Sequence, residues 1–523
     1  MTRSRTLARA GLIVTAAFLL SRVLGWLRLV VIGGTFGAAG ELDTFFAAFR
    51  IPDLIFQLVA AGALGSALIP IVAGLLASGE RDRAWRVVST VTNLMLVAFA
   101  VLAAILAVLA PQLIDAMTPG FSPAQVEQTV GLTRLMLASP ILLALGAVAT
   151  SVLNAEGRFA AAALAPVLYN LAIIGGAVIL APAMGVTGLA VGVVAGSALN
   201  LLIQLPPVAR LGFRYHPALD AADPAARRAI ALIVPRAIGM GASQITFVVA
   251  TTLASGLGAG AISAFNFAFT LLQIPIGVIG VPLGTVVFPS MARDLATGAV
   301  GDFLELLTRS LRVLLFVMLP ITGIGIVLRT ELVTLLFDYG RFDDRAIALT
   351  SDALLCFLVG LAAHSAIALL ARAFYAGQDT RTPVAAAILA VVINSSLAVV
   401  LVGPLGLAGL ALAIAIAAWI EAIVLFVILD RRHAELDLLP VLRMTVAASL
   451  ASVMAAAVTW AANGGLAGIV GPDPARPVLL LQSGLAAAAG GGAYLALAAA
   501  LRIRELPTIV AVMTDLLRRR ARS

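Results

Sequence analysis

Long apolar stretches separated by short polar segments repeat along nearly the whole chain. Most contain about twenty residues or more, enough for an α-helix to cross the ~30 Å hydrocarbon core of a bilayer. The pattern predicts an all-α polytopic membrane protein with about fourteen membrane-spanning helices. The expected spans are residues 10–38, 44–78, 87–111, 128–153, 159–182, 185–207, 228–256, 260–292, 307–329, 347–375, 382–402, 404–429, 441–463 and 478–501.

Composition and charge support this class and give the topology. The 523-residue chain is 62% hydrophobic and 11% charged, whereas soluble domains have about 25% charged residues. Most loop arginines fall on the side of the N-terminus, and the other side receives only Arg329, Arg341, Arg345 and Arg476. The positive-inside rule therefore predicts cytoplasmic termini. The net charge of +8 then reflects topology and contact with anionic lipids rather than nucleic-acid binding.

A weak repeat between the two halves predicts the domain organisation. The first and seventh segments each follow a basic stretch, and the second and eighth each carry a mid-span proline and several glycines. We predict two six-helix lobes, 8–207 and 228–430, joined by the polar cytoplasmic loop 208–227. Two further helices lie in 431–503, before a basic cytoplasmic tail at 504–523. Transporters built from repeats bind their substrate between such lobes, near the bilayer midplane.

Charged side chains inside the first two apolar segments are the main candidates for chemistry. Arg22, Arg28 and Arg50 are embedded there, although an arginine at a membrane-helix centre costs about 2.5–3.5 kcal/mol. Asp43 and Asp53 stand close by in sequence. One interpretation is an ion-pair network, such as Arg28 with Asp53, that only fastens the two helices. The other is a cationic cavity for a phosphorylated or carboxylated substrate, favoured because embedded arginines outnumber embedded carboxylates.

Other embedded polar residues leave further alternatives open. Arg236 follows Pro235, and it either reaches the lipid headgroups or lines the cavity from the second lobe. Glu421 is a candidate for proton or cation coupling, or a structural acid, and Asn394 is a second candidate for coupling. The sequence contains no Cys/His cluster that would predict a metal site. No phosphate-binding loop for ATP is present. We therefore expect a transporter rather than an enzyme, without a cofactor and driven by a monovalent cation or the membrane potential.

Several local sequences resemble a known family. They occur in order and cover the chain from about residue 8 to 430. The stretches are SRVLGWLRLVVIGGTFGAAGELDTFFAAFRIPDL (21–54), AMTPGFS (116–122), LNAEGRFAAAALAPVLYN (153–170), PRAIGMGASQI (235–245), GVIGVPLGTVVFPSMAR (277–293), LLFDYGRFD (335–343) and FYAGQDTRTPV (374–384). Together they resemble the MurJ (MviN) family, whose members flip the lipid-linked peptidoglycan precursor.

The resemblance implies both a fold and a function. The fold is that of the multidrug/oligosaccharidyl-lipid/polysaccharide exporter superfamily, in which two lobes alternate access to a central cationic cavity and the last two helices line a groove for the lipid tail. The implied activity is lipid II flipping across the bacterial inner membrane for cell-wall biosynthesis. Its substrate is a glycan linked to polyprenyl diphosphate, and cell-wall synthesis enzymes are candidate partners.

The candidate site residues match the family pattern to different degrees. Arg22, Arg28, Asp43 and Arg50 match charged family positions, and Arg28 corresponds to an arginine regarded as essential for diphosphate binding. We expect the three arginines to bind the diphosphate-sugar headgroup. Asp43 and Asp53 would orient or release them.

Three departures from the family pattern keep other functions open. Leu29 stands where the family often has an acid, Phe56 and Gln57 replace a basic pair, and Phe269 and Thr270 replace an Asp-Arg pair. The alternatives are a flippase for another polyprenyl-diphosphate-linked glycan and a non-transporting scaffold of wall synthesis. An exporter of cationic drugs would need exposed acids in its cavity, and a membrane transferase would need paired acids with a metal. Neither pattern is present.

Overall fold

The computed structural model describes the backbone of residues 2–60, 63–217, 220, 223–433, 438–471 and 474–507. Within these ranges it describes the side chains outside residues 2–13, 58–60, 63–64, 66–67, 229–230, 232–243, 433 and 438. Every regular element in this part of the chain is a helix. The all-α prediction is therefore confirmed.

The described residues of the first half of the chain form eleven α-helices and one π-helical turn. In order they are α1 (Thr2–Phe36), α2 (Gly40–Ala60), α3 (Ala63–Ala77), α4 (Arg81–Met117), α5 (Pro123–Met136), α6 (Ala138–Ala155), α7 (Phe159–Gly175), the π-turn Gly176–Leu180, α8 (Ala181–Met184), α9 (Val186–Leu202), α10 (Leu205–Ala209) and α11 (Pro224–Ser255).

The second half continues the same pattern. It contains α12 (Ala261–Pro275), the π-turn Ile276–Gly280, α13 (Val281–Ala296), α14 (Val300–Val327), α15 (Arg329–Phe337), α16 (Asp344–Val359), α17 (Leu361–Ala376), α18 (Arg381–His433), α19 (Leu438–Val470) and α20 (Arg476–Ala500).

Within the described residues, ten helices are long and apolar enough to cross a membrane. The helices α16 and α17, bent by 47° at their junction, form a further candidate span. α18 joins two helices across Gly406, whose φ of 56° suits a residue without a Cβ, in agreement with the two spans predicted there. The predicted spans 44–78 and 228–256 include residues outside the described part, so the number fourteen stays a prediction.

Contacts divide the chain into two compact units. The first comprises Met1–Ser263 with Tyr339–Asp343, and the second Ala264–Asp338 with Asp344–Ser523. In the first unit α1 packs on α7, and α2 packs on α5, α6 and α11. In the second unit α19 packs on α14 and α20, and α18 packs on α16 and α17. α11, the first helix of the predicted second lobe, packs on α2, α3 and α4. The predicted lobe boundaries stay a prediction.

Small residues and one amide fix α7 within the first unit. A Cβ added to Gly192 of α9 would lie 3.0 Å from the Ala172 carbonyl of α7, so glycine permits this close helix approach. On the opposite side, Asn170 Nδ2 donates to the carbonyls of Pro166 and Ser21, at 3.0 and 3.4 Å. α7 is thereby held between α9 and α1.

Candidate functional site

A cavity of about 220 Å³ lies inside the first unit, among α1, α2, α6, α7 and α9. Aromatic and aliphatic side chains form most of its wall, and four polar residues interrupt them. Its lining residues are Arg28, Leu29, Ile32, Phe45, Phe46, Phe49, Pro52, Asp53, Phe56, Ser139, Leu143, Tyr169, Ile173 and Val193. A largely apolar cavity with a few polar groups is typical of a ligand site.

Two of the predicted site residues, Arg28 from α1 and Asp53 from α2, meet in this cavity. Tyr169 of α7 also lies there, close enough to both for electrostatic interaction. Arg28 is half-buried. Within the described part of the chain, no carboxylate lies within the 4.0 Å of an ion pair with Arg28. The guanidinium therefore faces a cavity rather than a fixed counter-charge.

Asp53 is held on its own helix. It interacts electrostatically with Arg50, one turn earlier, and accepts a hydrogen bond from the Gln57 side chain, one turn later. The i, i+3 and i, i+4 spacings make these neighbours on one helix face. Gln57, at a position where the family resemblance expects a base, therefore supports the carboxylate of Asp53.

Arg50 points to a different neighbour. Its Nε donates to Thr251 Oγ1 at 3.2 Å, and its guanidinium carbon lies 5.1 Å from the Phe247 ring centroid. Both partners belong to α11. Arg50 does not line the cavity of Arg28, so these two predicted arginines are separated in this conformation.

Asp43 is enclosed by backbone and hydroxyl donors near the start of α2. Its carboxylate accepts from Gly260 N at 2.6 Å, from Ser263 N at 2.8 Å and from Ser263 Oγ at 2.6 Å. Gly260 has a φ of 89°, and a Cβ there would overlap the Ala38 carbonyl. Glycine is therefore needed for the loop to reach the carboxylate. Asp43 thus ties the start of α2 to Gly260 and to Ser263 in the first turn of α12, and it does not line the cavity.

The remaining predicted residues lie elsewhere. Arg22 is exposed, with its guanidinium carbon 5.2 Å from the Phe18 ring centroid one turn back on α1. The side chain of Arg236 lies outside the described residues. Glu421 and Asn394 stand on α18, on either side of the break at Gly406. Glu421 is half-buried, and the buried Oδ1 of Asn394 has no hydrogen-bond partner among the described residues.

The two departures on α12 also have a structural explanation. Thr270 Oγ1 donates to the Asn266 carbonyl of its own helix at 2.8 Å. The Phe269 ring stacks with Phe265 at 6.4 Å and meets the edge of Phe357 at 5.5 Å. An aromatic cluster therefore occupies the place where the resemblance expects a charged pair.

Sequence reasoning missed Tyr169, Ser139 and the phenylalanines of α2 as cavity residues. Tyr169 and Asn170 are the last two residues of the motif at 153–170. The motif identifies these residues but does not show which way their side chains point. Phe45, Phe49 and Phe56 follow helical spacing on α2 and read as ordinary apolar contacts. No group of His, Cys, Asp or Glu in the described part of the chain could hold a metal ion.

Comparison with known proteins gives a consistent result. A family model described as lipid II flippase MurJ matches residues 32–471. The lipid II flippase MurJ of Burkholderia cenocepacia is 33% identical over 434 residues, covering 82% of this chain and 84% of that protein.

Solved structures show the same fold. A lipid II flippase MurJ in an inward closed conformation superposes with a TM-score of 0.78 at 23% identity, covering 95% of this chain and 99% of the other. An inward-facing multidrug resistance MATE family transporter of the MOP superfamily gives a TM-score of 0.67 at 18% identity, covering 81% and 98%.

Proposed function

The chain belongs to the MurJ family of lipid II flippases, and we propose that it carries lipid II across the cytoplasmic membrane by alternating access, for peptidoglycan synthesis. The family match covers residues 32–471, which confirms the resemblance read from the local sequences. The protein is a multi-pass membrane transporter and not an enzyme. Both termini lie in the cytoplasm in this proposal, which the arginine distribution among the loops supports.

The observation that carries the proposal is the guanidinium of Arg28, which lies in a cavity among apolar helices without an ion-pair partner in the described part of the chain. Burying a cation without a partner is costly, and such residues in membrane spans mark substrate pathways. A diphosphate supplies the missing counter-charge, because the planar guanidinium fork binds phosphate oxygens through two parallel hydrogen bonds. A neutral or cationic substrate would leave the cost of Arg28 uncompensated.

The other predicted residues take different parts in the cycle. Arg50, held by Thr251 and Phe247 of α11, is a second anion contact when α2 and α11 rearrange. Asp43 and its three donors keep the start of α2 tied to the segment at Gly260–Ser263. Separation of this contact is required for opening at that end. Arg22 and Arg236 remain proposed contacts of the headgroup.

The energy source in this proposal acts through the membrane. A charge carried across the field gains about 2.3 kcal/mol per 100 mV, so the membrane potential can reset the empty carrier. A monovalent cation or proton bound at Glu421 or Asn394 is the alternative source. The unpartnered Oδ1 of Asn394 supports a role of this residue in coupling. Cell-wall synthesis enzymes are proposed partners.

The test is complementation of a bacterium depleted of its own lipid II flippase. We expect the native chain to restore growth and Arg28→Ala to fail at equal membrane abundance. Arg134→Ala is the matched control, since Arg134 is exposed on α5 and, among the described residues, donates only to the Ala107 carbonyl, at 2.9 Å. Arg134→Ala should rescue like the native chain. Full rescue by Arg28→Ala would refute the role given to the unpaired guanidinium.

A second cargo class is favoured by one observation. Thr270 is bonded back to its own helix, and Phe269 belongs to an aromatic cluster, so this part of α12 offers no cation to a diphosphate. A flippase for another glycan linked to polyprenyl diphosphate fits this arrangement. Failure of a well-expressed native chain to complement would support this cargo class over lipid II.

A further inference from the structure

The cavity around Arg28 contains a second polar group that is free to bind a ligand. The Tyr169 hydroxyl makes no hydrogen bond to any described residue, and Tyr169 interacts electrostatically with both Arg28 and Asp53. α7 is fixed by Asn170, whose Nδ2 donates to the Ser21 carbonyl on α1. The tyrosine next to it is therefore held in place while its hydroxyl remains available.

The opposite wall is a row of phenylalanines on α2. Phe45, Phe46, Phe49 and Phe56 all line the cavity, and the rings of Phe45 and Phe49 stack with centroids 6.0 Å apart. Phe56 occupies a position where the family resemblance expects a basic residue. This chain therefore presents an aromatic surface where a charge is expected, and Asp53 is the cavity's carboxylate beside it.

This combination of groups matches one kind of ligand. A guanidinium and a phenol hydroxyl donate to phosphate oxygens, while a carboxylate accepts from sugar hydroxyl or amide groups. The carbon-bound hydrogens on one face of a sugar ring pack against the face of an aromatic side chain. The volume of about 220 Å³ is below the ~300–1,000 Å³ of a pocket for a whole drug-sized ligand. The cavity can therefore hold only part of a large headgroup.

We propose that this cavity is the subsite for the sugar-phosphate junction of the substrate. Arg28 and Tyr169 donate to the diphosphate, and Phe56 packs against the first sugar, whose polar groups donate to Asp53. The proposal rests on the proposed function and adds Tyr169 and Phe56 as residues that determine specificity. Because Phe56 stands where the family pattern has a base, substrate binding by this chain depends more on the sugar and less on charge than that pattern implies.

The experiment measures binding of two probes to the full-length protein in nanodiscs. One probe is undecaprenyl diphosphate, and the other is the same lipid carrying one N-acetylhexosamine. Tyr169→Phe removes a single hydroxyl and should weaken both probes about tenfold. Phe56→Leu keeps the cavity apolar and should weaken only the glycosylated probe, about fivefold. Phe159→Leu, at an exposed ring outside the cavity, is the control and should change neither.

The outcomes separate this proposal from the function itself. Native rescue of a flippase-depleted strain, together with unchanged probe binding by Tyr169→Phe and Phe56→Leu, would overturn the subsite and leave lipid II flipping intact. Equal weakening of both probes by Phe56→Leu would overturn the sugar contact. Absence of both rescue and probe binding for the native chain would overturn the function, and the subsite with it.

Discussion

Two arginines within the helical units show how differently this protein uses the same residue. Arg28 faces the cavity of the first unit and has no ion-pair partner in the described part of the chain. Arg312 of α14, in the second unit, has its Nε 3.1 Å from Glu505 Oε1, with the Glu505 side chain only 6% exposed. In the second arrangement a carboxylate of the protein compensates the charge. The first arrangement requires a ligand to do so.

Two tyrosines repeat the contrast. Tyr494 of α20 is buried, and its hydroxyl donates to the Phe316 carbonyl of α14 at 2.7 Å. The Tyr169 hydroxyl faces the cavity without a partner among the described residues. The hydroxyl of Tyr494 stabilises the contact between α20 and α14. The hydroxyl of Tyr169 is available to a ligand in the cavity.

The largest effect should follow from Arg28→Ala. Loss of a charge-assisted bidentate contact should weaken undecaprenyl diphosphate binding on the order of a hundredfold. The apparent melting temperature in detergent should stay the same or rise, because the variant no longer carries a half-buried cation without an ion-pair partner among the described residues. Binding and melting are both measured on the full-length chain. A large fall in melting temperature would mean that Arg28 is structural, and the contrast with Arg312 would disappear.

Arg312→Ala should lower stability and leave undecaprenyl diphosphate binding unchanged, the opposite of Arg28→Ala. It leaves the Glu505 carboxylate buried without its partner and should destabilise the second unit by about 2–3 kcal/mol, with Arg312 partly exposed. Undecaprenyl diphosphate binding by the folded fraction should not change. The double variant Arg312→Ala with Glu505→Gln removes the uncompensated charge and should recover part of the loss. A double variant that melts below the single variant would contradict the ion-pair explanation.

The sequence was sufficient for the class of fold and for two of the cavity residues. Apolar length predicts membrane helices reliably, because the bilayer sets a fixed thickness. The cost of embedding charge singled out Arg28 and Asp53, which do share a cavity. The same reasoning could not separate Arg28 from Arg50, since both are embedded arginines at helix positions. Only packing shows that Arg50 is engaged by Thr251 and Phe247.

Tertiary contacts also determine the surroundings of Asp43 and Tyr169, which the hydrophobic pattern of the sequence could not predict. The three donors of Asp43 come from a segment more than two hundred residues away, and no local spacing encodes that meeting. Tyr169 lies near the middle of the predicted span 159–182, and the apolar pattern around it does not indicate which way its side chain points. Its surroundings depend on the close packing of α7 on α9, where a Cβ at Gly196 would lie 2.8 Å from the Tyr169 carbonyl and 3.1 Å from its Cδ2.

A smaller effect should distinguish the two tyrosines. Tyr494→Phe loses a buried hydrogen bond and leaves the Phe316 carbonyl unsatisfied, which should cost about 1 kcal/mol of stability. Tyr169→Phe loses no internal bond and should melt within experimental error of the native chain. Thermal melting of both variants, measured side by side without ligand, provides the check. Comparable destabilisation by Tyr169→Phe would show that the Tyr169 hydroxyl has an internal partner and is not free to bind a ligand.

The smallest effect belongs to a pair outside the membrane spans. Asp379, in the loop between α17 and α18, accepts from Thr382 Oγ1 at 2.6 Å and Thr382 N at 3.0 Å. Arg432 donates to it at 2.5 Å. The Thr382 hydroxyl and backbone, with Arg432, hold the pKa of Asp379 well below its usual range. The folded state thus favours the ionised carboxylate.

The pH dependence follows from that sign. Because folding lowers the pKa of Asp379, its contribution is complete above the unfolded pKa of about 3.9 and is lost as pH falls through the folded pKa. Asp379→Asn should therefore flatten the fall in melting temperature below about pH 5, whereas Asp302→Asn, at an exposed acid of α14, should leave the slope near native. The effect should stay below about 1 kcal/mol, since the Arg432 side chain is 47% exposed. Parallel melting curves for native and Asp379→Asn would show that the contacts of Asp379 contribute nothing measurable to stability at low pH.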